Sequence, residues 1–213
     1  MIAALTGLRE EANTITDQWV VQVLTGLAAI NDMDGLIPSD CEAIISWGTA
    51  GALTSDVKVG DVVAVQTVFT PDGAQHKADA DWLQRIVDVF PEIKIRRGFS
   101  SSTEVAATAV TKASLAAKYP VSTVDMGAYA VAAFAEKRGI SWAVIQGISD
   151  AYDQDIVKAA QDGMGGIEAV IKDLVADPTE LRGLVTVTET FTEAIYGLQR
   201  CYFALGPELG EKI

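Results

Sequence analysis

Short runs rich in valine and isoleucine, at residues 2–5, 19–24, 43–47, 62–68 and 142–148, recur along the chain with glycine, aspartate or serine close by. Runs of this length and composition read as buried strands, because β-branched side chains suit a pleated surface covered on both faces. Between them, residues 79–90, 104–119 and 128–139 carry the 3.6-residue apolar period of helices, the last closing on Lys137, Arg138 and Gly139. Strands alternating with helices predict an α/β fold built on a mainly parallel, covered sheet. Beyond residue 178 the apolar positions Leu181, Leu184, Val185, Phe191, Ile195, Leu198 and Tyr202 repeat at helical spacing and predict a long amphipathic helix over 178–205. No repeat or internal boundary interrupts the pattern, so residues 1–213 are expected to form a single domain.

Charge narrows the function. A formal net charge of −13 repels a phosphate backbone, which excludes general nucleic-acid binding and requires any anionic ligand to be held by local donors. No apolar run approaches the roughly 18 residues of a membrane span. Cys41 and Cys201 lack metal-ligand spacing and read as reduced thiols, so a cytoplasmic protein without a metal is expected. The single histidine, His76, lies beside a turn at 70–75 and leaves no partner for a Ser-His-Asp triad.

Three stretches can carry chemistry. In "LTGLREEA" a strand opens onto Gly7, followed by Arg9, which can clamp an anion, and Glu11, which can act as a base or hydroxyl acceptor; the same charges also suit a solvated helix start. In "SWGTAGAL" a strand runs into Gly48-Thr49-Ala50-Gly51, either a tight turn or a loop presenting backbone N–H groups and the Thr49 hydroxyl to an anion. In "VDMGAYAVA…GISDAYD", Asp125, Met126 and Gly127 close one strand, and Ser149 and Asp150 close the next, where ligands of open α/β sheets bind. Asp150 as a plain helix cap and Met126 as core filler are the alternatives.

Taken in order, these three stretches resemble the nucleoside phosphorylase and nucleosidase family, and the tail "GGIEAVIKDLVADPTELRGLVTVTETFTEAIYGLQR" is similar to its hopanoid-associated branch. The resemblance implies a central mixed β-sheet flanked by helices, and cleavage of the N-glycosidic bond of an adenine nucleoside, hopanoid nucleosides included, with inorganic phosphate as co-substrate and no cofactor. It implies phosphate binding by Gly7, Thr49 and Arg9. Met126 would pack on the ribose, with Asp125, Gly127, Ser149 and Glu11 also at the substrate, and Asp150 would protonate the purine N7. A homo-oligomer, with a dimer favoured, is a further implication.

The departures are specific. Gly127 stands where the family has a glutamate that accepts from both ribose hydroxyls, Gln146 where nucleosidases often have arginine, and the segment 12–41 is short for the hairpin and helix found there. Hydrolysis, with Glu11 orienting water, is the alternative to phosphorolysis. A nucleoside-binding protein with an impaired site is the alternative to catalysis.

Overall fold

The structure, a computed structural model, describes residues 1–16, 21–25 (as backbone), 32–101, 106–158, 176–177 and 179–206. Strands β1 (Ile2–Thr6), β2 (Val21–Thr25), β3 (Ala43–Ala52), β4 (Val62–Phe69), β5 (Gln75–Lys77), β6 (Lys94–Ser100), β7 (Thr123–Asp125) and β8 (Ser141–Asp150) share one sheet. Helices α1 (Arg9–Ala12), α2 (Met33–Leu36), α3 (Ala80–Val89), α4 (Ala109–Lys118), α5 (Ala128–Arg138) and α6 (Glu180–Leu205) flank it. Positions 19 and 20 of the strand expected over 19–24, 104 and 105 of the helix expected over 104–119, and 165–175 and 178 of the tail motif lie outside the described residues.

The sheet is mixed. Parallel pairs β1–β2, β1–β3, β3–β8, β4–β6 and β6–β7 coexist with antiparallel pairs β3–β7, β4–β8 and β4–β5. Followed from β3 through β8, β4, β6 and β7, the pairings return to β3, so these five strands close a circuit.

Side-chain alternation on β3 and β8 divides the core. Ile44, Ala50, Val144 and Ile148 pack with Ala128, Val131 and Ala135 of α5 on one face. Ile45, Trp47, Ala143 and Ile145 pack with Trp82 and Ile86 of α3 and with Leu198 and Tyr202 of α6 on the other. Gly147 lets α6 come down on β8, since a Cβ there would lie 2.5 Å from the Ala194 carbonyl oxygen. The opposite side of α6 leaves Leu181, Val185, Tyr196 and Phe203 exposed.

Local signals explain the helix ends. The Asp79 carboxylate accepts from the Trp82 amide at 2.8 Å and caps α3, and Gly139 ends α5 in the left-handed region at φ 66°. Two expectations are corrected. The run starting at residue 43 does not stop at Trp47 but continues as strand through Gly48-Thr49-Ala50-Gly51, held along this length by β8. The helix expected over 104–119 begins only at Ala109, capped by the Thr108 hydroxyl. Both cysteines are buried and unpaired, and burial pushes the Cys201 thiol up to about 12.

Candidate active site

The site lies where β3 changes neighbours. On one side β3 pairs with β1 only as far as Ser46, and with β7 only from Gly51, so the edge of residues 47–50 faces a gap. A cavity of about 240 Å³ opens over this gap, at the carboxyl ends of the parallel strands β1 and β8. Leu5, Ala106, Val124, Met126 and Ile156 give it apolar walls; Glu11, Asp125 and Asp150 supply carboxyl groups.

Glu11 fills the gap. One carboxylate oxygen accepts from the amides of Gly7 at 2.8 Å and Leu8 at 2.9 Å. The second accepts from the Thr49 amide at 2.7 Å and the Thr49 hydroxyl at 2.8 Å. The reach back to Leu8 is half of a capping box, explained by α1 starting there. The turn is fixed to the core by a relay in which the buried Trp47 indole donates to the Thr14 hydroxyl at 2.7 Å, and that hydroxyl donates to the Glu11 carbonyl at 2.6 Å. Gly48 makes room, because a Cβ there would meet the Glu11 carboxylate at 3.0 Å. Burial pushes the Glu11 carboxyl above its ordinary value, partly offset by the bonds from Thr49, Leu8 and Gly7.

Asp150 closes the far wall. It ends β8 opposite Gly51, just past an irregularity in the pairing, and a Cβ on Gly51 would lie 2.6 Å from its Oδ2. The glycines of "GTAG" therefore seat two carboxylates rather than bend the chain. The Ser149 hydroxyl donates to Asp150 Oδ1 at 2.8 Å. Behind the carboxylate, the fully buried ammonium of Lys112 lies 2.5 Å from Oδ2. Sequence reading missed Lys112, and the available signal was its spacing of three from Leu115, the other buried residue of α4.

Asp125 turns partly away. Its Oδ2 accepts from the amides of Gly127 at 2.9 Å and Ala128 at 2.7 Å, capping α5, while Oδ1 is enclosed and accepts no hydrogen bond. Burial pushes this carboxyl up, against the lowering effect of those two amides and of the nearby Ser100 hydroxyl. Met126, Gly127 and Ser149 also line the cavity.

Of the expected site residues, the fold thus gathers Gly7, Glu11, Thr49, Asp125, Met126, Gly127, Ser149 and Asp150 around one cavity. Arg9 is not among its walls and is exposed on α1. His76 lies apart on β5, its Nδ1 2.8 Å from the Glu136 carboxylate. Gln146 is buried with neither amide atom bonded. Among the described residues no cluster of three or more His, Cys, Asp or Glu could hold a metal, and no helix is long and apolar enough to cross a membrane.

Comparison with known proteins agrees with this fold. Futalosine hydrolase of Helicobacter pylori superposes with a TM-score of 0.64 at 17% identity, over 81% of this chain and 97% of its own. The 5'-methylthioadenosine/S-adenosylhomocysteine nucleosidase of the same organism, with butyl-thio-DADMe-Immucillin-A, gives 0.66 at 14% identity, over 95% and 97%. The 5'-methylthioadenosine nucleosidase of Arabidopsis thaliana gives 0.58 at 16%, over 92% and 95%. No curated protein sequence matches. Residues 10–176 match the family profile described as the phosphorylase superfamily, and with its mixed sheet and its cavity at the strand ends the chain belongs to that family.

Proposed function

We propose that the protein is a hydrolytic purine nucleosidase, which breaks the bond between ribose C1′ and purine N9 with water as nucleophile. The observation that carries this reading is the placement of Glu11: its carboxylate takes the donors of Gly7 and Thr49 that were expected to meet phosphate, and the Leu8 amide with them. An anion bound there would meet a carboxylate, whereas a water that takes the place of the Thr49 hydroxyl on Glu11 would meet an acceptor able to take its proton. The raised proton affinity of the buried Glu11 carboxyl suits a general base.

In this reading Asp150 delivers a proton to purine N7 as the C1′–N9 electrons move into the base. Glu11 takes a proton from water as its oxygen bonds to C1′. Met126 and the neighbouring apolar wall cover the sugar, and neither a metal nor a cofactor enters the scheme. Hydrolysis is also the chemistry in the names of the hydrolase and nucleosidases with the same fold. Adenine nucleosides, with or without a lipid on the sugar, are the substrate class to assay.

The test is adenine release from adenosine, methylthioadenosine and adenosine-bearing lipids, with and without phosphate, with Asp150→Asn as control. Release indifferent to phosphate and abolished in the control is expected. Release that requires phosphate assigns phosphorolysis instead, and binding without turnover across the panel assigns a nucleoside-binding protein.

A further inference from the structure

Lys112 is the one charged side chain of α4 that the fold buries completely. Its ammonium donates to the carbonyls of Ala151 at 2.6 Å and Gln154 at 2.9 Å, and its third oxygen neighbour, the enclosed Asp150 Oδ2, is an ion-pair partner at 2.5 Å without hydrogen-bond alignment. The first two tie the segment after β8 to α4, a task shared by the Ala109 amide bonded to Asp155 at 2.7 Å and the Ile156 amide bonded to the Ala107 carbonyl at 2.7 Å. Tethering therefore does not require a lysine, and enclosing an ammonium with a carboxylate gives little stability over an apolar pair. The third contact is the one that only a charged, proton-bearing group supplies.

Resting on the nucleosidase reading, we propose that Lys112 acts through Asp150 as a positioning residue that also supplies the proton for the leaving purine. One proton moves within the pair. It passes from Nζ to Asp150 Oδ2, leaving a neutral amine and a carboxylic acid. The acid then gives it to purine N7 as the C1′–N9 bond breaks, and returns to the carboxylate. After the base departs, Nζ regains a proton from solvent, while the proton that Glu11 took from water returns there. Because Oδ2 is enclosed beside Lys112, the acid must turn to present its proton to the cavity, and the missing side chain at Gly51 leaves room for that turn.

The experiment compares two leaving groups. A purine must be protonated to leave, whereas 4-nitrophenolate from a 4-nitrophenyl riboside leaves as a stable anion. Wild type, Lys112→Met and Lys112→Arg are assayed with adenosine and with 4-nitrophenyl riboside, with circular dichroism confirming the fold. Lys112→Met is expected to lower kcat/KM for adenosine by about 100-fold or more, the scale of general-acid catalysis, and for the nitrophenyl riboside by less than ~10-fold. Lys112→Arg, whose guanidinium does not give up its proton, is expected to follow the same split and to serve alone where the Met variant does not fold.

Parallel loss on both substrates overturns the inference and makes Lys112 a structural anchor. Full purine release by the Arg variant overturns it too, since a fixed charge then suffices. Unchanged purine release by the Met variant has the same force. A wild type that releases the leaving group from neither substrate defeats the nucleosidase reading itself, and this inference with it.

Discussion

Glu11 and Thr49 are joined twice, by the Thr49 amide at 2.7 Å and the Thr49 hydroxyl at 2.8 Å, both donating to the same carboxylate oxygen. The pairing is possible only because β1 has ended and β7 has not begun along this part of β3. A strand edge left open by topology thus becomes a seat for a carboxylate.

Glu11→Gln keeps the volume but turns an amide –NH2 toward N–H donors and removes the base. The expected result is a fall in kcat for purine release of about 10² to 10⁴-fold, with base binding by calorimetry retained. A kcat within a few-fold of wild type removes Glu11 from the mechanism.

The same carboxyl sets a pH dependence of stability. Its folded value lies above the ordinary 4.5, so the folded state binds the proton more readily than the unfolded chain between those two values. Stability from this group is therefore greatest below 4.5 and declines as pH rises through the folded value. Thermal melts from pH 4 to 8 should show a shallower decline for Glu11→Gln than for wild type; identical slopes refute the assignment.

Gly51→Ala places a methyl 2.6 Å from Asp150 Oδ2 and must move that carboxylate off Lys112. Purine release should fall by roughly 10-fold or more, a loss of about 1.4 kcal/mol in transition-state stabilisation, while the melting temperature changes little. Retained activity would mean that the position of Asp150 is not critical.

Gly127 precedes α5 with φ −124°, a conformation open to any side chain. Gly127→Glu should restore an acceptor for the ribose diol and lower KM for ribonucleosides by about 10-fold, the scale of one hydrogen bond to a charged group. The 2′,3′-dideoxynucleoside should gain nothing. Equal effects on both sugars, or none, would show that a carboxylate here does not reach the diol.

Gly147→Ala tests packing instead of chemistry. Its methyl meets the Ala194 carbonyl oxygen at 2.5 Å, so α6 must lift from β8. Overpacking of this kind destabilises by about 1 to 3 kcal/mol, read as a lowered denaturant midpoint. An unchanged midpoint would place the helix differently.

Much of this was legible beforehand because burial on both faces writes itself into composition. The runs around Ile44, Val63 and Ile145 and the cap at Asp79 declare themselves locally. Strand β6 did not, since Lys94, Arg96 and Arg97 interrupt its apolar residues and its first half is solvent-facing. On α4, Val110 is 80% exposed while Lys112 is buried, the reverse of what hydropathy suggests. The seating of Glu11 and Asp150 by Gly48 and Gly51 depends on which residues of separate segments come opposite one another, and no window of sequence contains that register.

The circuit through β3, β8, β4, β6 and β7 bears on association as well as catalysis. Strands that pair on both sides offer no template to another chain, and among the described residues only β2 and the three-residue β5 pair with a single strand. The stretch of β3 between its partners β1 and β7 is stoppered by Glu11. The residue proposed to prepare water for attack would then also guard the backbone against recruiting a foreign strand, so its loss should be watched for precipitation as closely as for lost turnover.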